Sequence, residues 1–135
     1  MAKTKKIDYI YEKGRRREAS ARIRLLKGKG ESLVNDVSLA QYFPGDVNRT
    51  LLERPFALTK TLDKHHFTVK VAGGGKNGQL EAVILGIARA LVAVNPDFRP
   101  ILKKAGLLTR DPRTRERRKV GMGGKARRKK QSPKR

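Results

Sequence analysis

The chain of 135 residues contains no cysteine and no tryptophan. Without cysteine there can be no disulfide framework and no thiolate metal site. The two histidines, His65 and His66, are adjacent, so on a strand they point to opposite faces and cannot bind one metal ion together. Asp63 could share a face with His65, but no third ligand follows nearby. No catalytic constellation stands out, and we expect neither an enzyme nor a bound cofactor.

Long apolar runs are also missing. The longest apolar region, residues 80–94, is interrupted by Glu81 and Arg89, so we expect no membrane-spanning segment. The first residues lack the apolar stretch of a secretory signal, and Asp8 and Glu12 argue against an organellar transit peptide. We therefore expect a soluble cytoplasmic protein without a membrane partner.

Acidic residues are scarce in comparison with basic ones. There are 12 acidic residues against 34 lysines and arginines, which gives a net charge of +22. Self-repulsion on this scale disfavours a compact state unless a polyanion neutralises it. Nucleic acid fits this need, because each neutralised phosphate releases condensed counterions and adds affinity. An acidic membrane surface is the alternative, but the basic runs lack the aromatic or leucine-rich face of an interfacial helix.

The basic charge is distributed unevenly along the chain. Residues 107–135 hold 13 of the 34 basic residues and 2 of the 12 acidic ones, which is half of the net charge. From Arg117 onward no residue is acidic, and such a segment cannot bury enough apolar surface to fold alone. We predict a globular body over residues 1–106 and a basic C-terminal tail, 107–135, that is disordered when free. No aromatic residue follows Phe98, so the tail should contact phosphates rather than stack on bases.

Alternating side chains predict several strands. Residues 19–25 alternate between apolar and polar positions, which is typical of a half-buried strand. Residues 27–30, "KGKG", predict a turn, and 32–35 the returning strand of a hairpin. Residues 56–61, "FALTKT", and 65–72, "HHFTVKVA", are further strand candidates.

Helices are predicted between and after these strands. Residues 38–43 and 45–53 suggest short helices, the second ended by Pro55. Residues 79–94 place apolar side chains three and four positions apart, which predicts an amphipathic helix packed on a sheet. A further short helix is predicted over 97–105. Strands that come first and helices that come later favour an α+β fold, with a mixed or antiparallel sheet and its helices on one face.

A glycine-rich stretch lies between the last strand and the long helix. Gly73, Gly75 and Gly78 form the pattern G-x-G-x-x-G of dinucleotide-binding loops. That fold needs a second parallel strand after the helix, but the sequence after Val94 predicts a turn and a short helix instead. We therefore reject the cofactor and predict a tight strand-to-helix turn with positive φ angles. Its free N–H groups, with Lys76 beside them, could bind one phosphate of RNA.

Longer motifs surround this turn in a fixed order along the chain. They are "GRRREASARIRL" (14–25), "VNDVSLAQYFP" (34–44), "GIARAL" (86–91) and "KAGLLTRDPRTRERRKVG" (104–121), together with Gly73–Gly75, Gly78, Gln79 and Ala82. In this order they resemble the bacterial branch of the small-subunit ribosomal protein S-nine family. The resemblance covers nearly the whole chain, and segment 14–25 is similar to the first long strand of that family.

The resemblance implies both a fold and a function. The fold would be that of the second domain of ribosomal protein S-five, followed by an extended basic C-terminal tail. The function would be that of a structural constituent of the small ribosomal subunit that binds ribosomal RNA in the subunit head, beside neighbouring ribosomal proteins. The tail would contact peptidyl-site transfer RNA through its last residues, here Lys134 and Arg135. In this chain Pro133 separates that pair from Ser132, whereas the family usually ends in Ser-Lys-Arg. The alternative is a general basic protein that compacts nucleic acid.

Basic residues with few acids nearby are the predicted contacts to ribosomal RNA. Arg22 and Arg24 project from one strand face, and Ala21 and Ile23 from the other. The face with the arginines lies either in solvent or on RNA. Asp111 is expected to form a local turn rather than a site. The predicted ribosomal RNA contacts are Arg15, Arg16, Arg17, Arg22, Arg24, Lys76, Arg110, Arg113, Arg117, Arg118, Lys119, Lys125, Arg127, Arg128, Lys129 and Lys130.

Overall fold

A computed structural model of the chain describes residues 8–117 and Val120. The described residues form a five-stranded sheet and four helices, which confirms the α+β class. The strands are β1 (Tyr9–Arg16), β2 (Ala19–Lys27), β3 (Leu33–Val34), β4 (Val37–Ser38) and β5 (His65–Ala72). The helices are α1 (Leu39–Tyr42), α2 (Asp46–Thr59), α3 (Lys76–Val94) and α4 (Phe98–Lys104). The sheet order is β1-β2-β5-β3-β4, and only β3 and β5 are parallel among the described strands, so the sheet is mixed.

The first strand has no counterpart in the sequence-based prediction. Among the inward positions of β1 only Ile10 carries a large apolar side chain, so the segment shows no apolar alternation. Segment 14–25, expected to be one long strand, turns back at Arg17–Glu18, where Arg17 has a φ of 54°. The β1–β2 hairpin therefore precedes the strand that alternation identifies.

The predicted hairpin between residues 19–25 and 32–35 is wrong. β2 bonds to β1 along one edge and to β5 along the other, so β3 joins the sheet on the far side of β5. The Asn35 side chain extends this pairing, because its amide accepts from the Val71 N–H at 2.9 Å and donates to the Val71 carbonyl at 3.2 Å. Asn35 and Asp36 have φ angles of 50° and 65°, which allow the tight turn into β4.

The prediction that Pro55 ends a helix and that 56–61 form a strand is also wrong. α2 continues through Pro55 to Thr59 and ends where Lys60 adopts a left-handed φ of 55°. Pro55 and Phe56 are buried, and the Phe56 ring stacks on Phe67 of β5 at a centroid distance of 6.0 Å. This packing offsets the backbone hydrogen bond that proline cannot donate.

α3 is the central helix of the core. It begins at Lys76 rather than at residue 79, and it packs across β1 and β2, while α2 and α4 pack against α3. Gly14 of β1 and Gly86 of α3 lie in direct contact. A Cβ added at Gly86 would lie 3.3 Å from the Gly14 nitrogen. By length and composition α3 is apolar enough to span a membrane. However, 56% of its most apolar 18-residue stretch is buried inside the protein, as expected for a core helix.

The chain stays on the body beyond α4. Gly106 has a φ of 77° and its N–H donates to the Lys103 carbonyl, a common ending for a helix. Leu107 donates to the Leu102 carbonyl at 3.1 Å, and Leu107 and Leu108 pack against the core. Contacts with the body therefore continue past residue 106, where we predicted the tail to begin.

Candidate nucleic-acid interface

The sheet has one face covered by helices and one face without them. We call the second the open face; it consists of the outward positions of β1, β2 and β5. Within residues 8–117 no carboxylate occupies an outward position on these three strands. The exposed cations of the open face are Lys13, Arg15, Arg22, Arg24 and Lys70.

The strand register places several of these cations next to one another. Lys13 pairs with Arg22, and Arg22 pairs with Lys70, so three positive charges form one row across the sheet. Like charges directly opposite each other destabilise a sheet. A polyanion placed on this row would therefore relieve the repulsion between its charges. The predicted orientation of Arg22 and Arg24, away from Ala21 and Ile23, is confirmed.

Two cations of the open face escaped the sequence-based prediction. Lys70 lies between Val69 and Val71, so the alternation in β5 already indicated its outward direction. Lys13 belongs to β1, whose inward side lacks an apolar pattern, and no sequence signal identifies it.

The three consecutive arginines at the end of β1 point in different directions. Arg15 is exposed on the open face, Arg16 is buried on the helix-covered face, and Arg17 is exposed in the turn to β2. The alternation of strand side chains causes this split, since neighbouring residues face opposite sides of a sheet. Arg15 and Arg17 stay available to a partner, whereas Arg16 is already bound inside the protein.

Arg16 joins three parts of the chain. Its Nε forms an ion pair with Glu81 of α3, its Nη2 lies 3.2 Å from the Asp111 carboxylate, and its Nη1 donates to the Arg113 carbonyl at 3.2 Å. The Arg16 side chain is only 9% exposed. These contacts turn the buried guanidinium toward groups of the protein itself, so we omit Arg16 from the proposed RNA contacts.

Asp111 organises the segment that Arg16 holds. The Arg113 side chain donates to the Asp111 carboxylate at 2.6 and 2.9 Å, and the Arg113 backbone N–H donates to it at 3.0 Å. These hydrogen bonds, with the nearby Arg16 charge, hold the pKa of Asp111 well below its usual value. The local turn expected at Asp111 is present, and Arg113 is turned toward this carboxylate.

Replacing Arg16 by methionine should release residues 109–113 from the body, because Arg16 contacts Asp111 and Arg113 in this segment. The variant loses the charge-assisted hydrogen bond to Glu81, the ion pair with Asp111 and the hydrogen bond to the Arg113 carbonyl. We therefore expect the free energy of unfolding to fall by about 1–3 kcal/mol. Hydrogen exchange of the amides within 109–113 should accelerate by about tenfold or more. Arg15→Met is the matched control, because Arg15 is the neighbouring residue and its side chain lies on the open face. Equal effects of both variants would contradict the anchoring role of Arg16.

The glycine turn has the predicted form. Gly73 and Gly74 have φ angles of 74° and 61°, and Gly75 precedes the first residue of α3. A Cβ at Gly73 would lie 2.5 Å from the Glu18 carbonyl oxygen, so the turn also lies close to the β1–β2 hairpin. The close contact of α3 with the sheet is made by Gly86 of α3 and Gly14 of β1, and not by the glycine turn.

Lys76 lies at the start of α3 but is directed toward α1. Its Nζ donates to the Tyr42 carbonyl at 3.2 Å and lies 5.0 Å from the centre of the Tyr42 ring. The Tyr42 hydroxyl in turn donates to Gln79 at 2.7 Å. Arg17, Asn77 and Arg115 line the groove beside the first turn of the helix. The predicted phosphate contact at Lys76 stays a prediction.

The histidines do not form a metal site in the described part of the chain. The Nδ1 atom of His66 lies 3.0 Å from the Gly28 carbonyl oxygen, and His65 is half-buried on the other face of β5. Burial lowers the pKa of His65. Within residues 8–117 and at Val120, no three histidine, aspartate or glutamate side chains come together in a way that could hold a metal ion.

The remaining predicted contacts divide into two groups. Arg110 and Arg117 are exposed after α4. The others lie outside the described residues: Arg118, Lys119, Lys125, Arg127, Arg128, Lys129, Lys130, Lys134 and Arg135.

The chain is similar to known proteins over most of its length. The family described as ribosomal protein S9/S16 matches residues 14–135. A small ribosomal subunit protein uS9 of Amoebophilus asiaticus is 49% identical over 115 residues, which cover 85% of this chain and 90% of the relative. Proteins of the same name from Solidesulfovibrio magneticus and Maridesulfovibrio salexigens are 49% and 48% identical over 117 residues, covering 87% of this chain and 90% of each relative. The resemblance found in the sequence is thereby confirmed, and the chain belongs to the ribosomal protein S9/S16 family.

Proposed function

We propose that the chain is a structural constituent of the small ribosomal subunit and binds ribosomal RNA in the subunit head through its open face. As a member of the ribosomal protein S9/S16 family it is a ribosomal protein and not an enzyme. The relatives are named small ribosomal subunit proteins, which supports the same subunit for this chain. Its other partners would be neighbouring proteins of the head.

The absence of acids from the open face is the observation that supports this proposal most strongly. This chain has a net charge of +22, but it also contains 12 acidic residues that could have been placed beside its arginines. Acids do pair with arginines elsewhere, as Glu81 and Asp111 do with Arg16. The open face instead keeps its row of Lys13, Arg22 and Lys70 without a counter-charge, which suits a phosphate backbone.

We expect binding of structured ribosomal RNA to depend steeply on salt. Each neutralised phosphate contributes a slope of about −0.7 to −0.9 in log K against log salt, so five cations predict a slope of about −3 or steeper. Filter binding of the full chain to a transcript of the small-subunit head, at several salt concentrations, measures this slope. An affinity that does not change with salt would contradict the proposal.

The same measurement with DNA separates the proposed function from that of a general compacting protein. A ribosomal protein should prefer the head transcript to a DNA duplex of equal length, and should co-sediment with the small subunit until high salt releases it. Equal affinity for both nucleic acids, with sedimentation alongside the nucleoid, would favour the compacting protein.

We further propose that the C-terminal tail reaches peptidyl-site transfer RNA, with Lys134 and Arg135 in contact with it. The basic composition of residues 107–135 supports this step, and so does the family resemblance. The Arg16 anchor supports it as well, because it fixes where the chain leaves the body near Arg113.

Deletion of residues 126–135 should leave assembly intact and weaken transfer RNA at the peptidyl site. The body and the open face are unchanged in this variant, while six cations are removed. Quantitative mass spectrometry of purified subunits measures incorporation, and filter binding measures transfer RNA affinity. If truncated protein is missing from subunits, the tail serves assembly, and the division of roles is wrong.

A further inference from the structure

The open face carries aromatic side chains as well as cations. Tyr9 and Tyr11 are two of the three tyrosines in the chain, and both lie on the outward side of β1, 47% and 49% exposed. The guanidinium carbon of Arg24 lies 5.1 Å from the centre of the Tyr9 ring. Within residues 8–117 no aromatic ring or cation packs on Tyr11 in this way, so its ring is open to a partner.

The register arranges these side chains in rows across the sheet. Tyr11 lies opposite Arg24, which lies opposite Thr68. The next row toward the glycine turn is the basic row of Lys13, Arg22 and Lys70. Successive rows on one face are about 6–7 Å apart, since two residues separate them along each strand. An aromatic row thus adjoins a row of three cations.

The apolar character increases toward the other end of the same face. Tyr9 lies opposite Leu26, and Leu26 lies opposite His66; all three side chains are at least partly exposed. Phosphates alone would not use such a row. A flat, partly apolar surface with a tyrosine ring suits the face of a nucleic-acid base.

We propose that the tyrosine rows of the open face stack unpaired bases, so that the RNA segment bound there is single-stranded. This inference rests on the proposed function, in which the open face binds RNA. In a duplex the bases are stacked inside and cannot reach the tyrosines, whereas unpaired bases stack readily on aromatic side chains and guanidinium planes. The phosphates of the same segment lie on Lys13, Arg22 and Lys70, and its bases extend over Tyr11 and over the Arg24–Tyr9 pair.

Charge complementarity favours RNA over a neighbouring protein as the occupant. A protein partner would have to present an acidic surface to a face with five cations and no carboxylate. A single RNA strand supplies one charge per nucleotide together with a base to stack. The basic row and the adjoining tyrosine rows match the two parts of a nucleotide, its phosphate and its base.

Two RNA probes and two double variants test the stacking. The full chain is titrated with a 12-nucleotide oligoadenylate and with a 12-base-pair RNA duplex. The double variant Tyr9→Leu/Tyr11→Leu should weaken binding of the oligoadenylate by about tenfold to a hundredfold and leave duplex affinity and both salt slopes unchanged. Tyr9→Phe/Tyr11→Phe keeps the rings and should bind like the native chain.

The chain contains no tryptophan, so tyrosine emission gives a second readout. Base stacking should quench the native emission on addition of oligoadenylate, and the leucine variant should lose most of that quenching. A leucine variant that binds both probes as the native chain does would overturn the stacking proposal. So would an equal loss for oligoadenylate and duplex.

A charge variant keeps this outcome separate from the proposed function. Arg22→Gln should weaken both probes and lower both salt slopes, because it removes a phosphate contact. If Arg22→Gln weakens binding and the leucine variant does not, the RNA-binding face stands and the stacking is wrong. If neither variant changes binding, both proposals fail. The leucine variant could instead bind RNA normally but no longer enter subunits. In that case a neighbouring protein contacts Tyr9 and Tyr11 in the subunit, and the stacking proposal is wrong.

Discussion

The double variant Arg22→Glu/Arg24→Glu should bind the head transcript at least about a hundredfold more weakly than the native chain. Each arginine removed takes away a charge-assisted contact of about 1.5–3 kcal/mol, and 1.4 kcal/mol is a factor of ten in affinity. The introduced carboxylates also repel the phosphates. The salt slope should become shallower by about 1.4–1.8, because two fewer phosphates are neutralised.

This variant should still fold, because both side chains are exposed on the open face. Arg22 lies between Lys13 and Lys70 in the basic row, so its replacement by glutamate relieves like-charge repulsion within the sheet. Circular dichroism and thermal unfolding check the fold before affinity is compared.

The matched control changes the net charge equally on the opposite side of the protein. Lys103→Glu/Lys104→Glu alters two exposed residues of α4, which belongs to the helix layer. If binding depends on the open face, this control should lose much less affinity than the arginine variant. Equal losses would mean that RNA responds only to total charge, as expected of a general compacting protein.

The second large effect concerns stability rather than binding. Gly14→Ala should lower the free energy of unfolding by about 3 kcal/mol or more, at the upper end of the cost of overpacking a core. The added Cβ would overlap the Ala82 carbonyl oxygen and lie 2.7 Å from the Gly86 nitrogen. Both atoms are helix backbone, so no side-chain rotation relieves the overlap. Thermal unfolding in moderate salt, which screens the charge, should show a decrease of about 10 °C or more.

Two further glycine variants make this prediction specific. Gly86→Ala would meet mainly the side chain of Ile23, which can move, so its cost should be smaller and partly rescued by Ile23→Val. At Gly75 the Cβ position has no neighbour within 4 Å, and serine suits the residue before a helix. Gly75→Ser should therefore unfold at or above the native temperature. An unchanged melting temperature for Gly14→Ala would show that α3 is not held this closely on β1.

Sequence patterns located the elements whose burial follows a regular period. β2 and β5 alternate cleanly because the helices cover one face only, and α3 repeats its apolar positions at helical spacing. The glycine turn was also predictable, since two adjacent residues there need positive φ angles. In each case one local rule and the tertiary structure agree.

The missed elements are those in which tertiary packing outweighs the local signal. β1 buries Gly14 and Arg16 instead of apolar side chains, because the first admits the α3 backbone and the second pairs with Glu81. α2 continues through Pro55 because the buried ring of Phe56 stacks on β5. Neither cause is visible in residues that are close in sequence.

The predicted contacts rest on charge and on alternation, and neither of these shows how the strands are paired. Charge alone indicated a polyanionic partner, and alternation alone gave the directions of Arg22 and Arg24. The grouping of these arginines with Lys13 and Tyr11 depends on the pairing of β1 with β2, which the sequence did not reveal. Arg16 shows the limit of charge as a guide, since the middle one of three consecutive arginines looked like part of a basic patch but lies inside the protein.

In the assembled subunit the open face should lie on ribosomal RNA. Lysine acetylation, measured by mass spectrometry on free protein and on intact small subunits, tests it directly. Lys13 and Lys70 are exposed in the described structure and should react in the free chain but be protected in the subunit, while Lys103 and Lys104 stay more reactive. Full reactivity of Lys13 and Lys70 in the subunit, with protection on α4, would show that the open face does not lie on RNA.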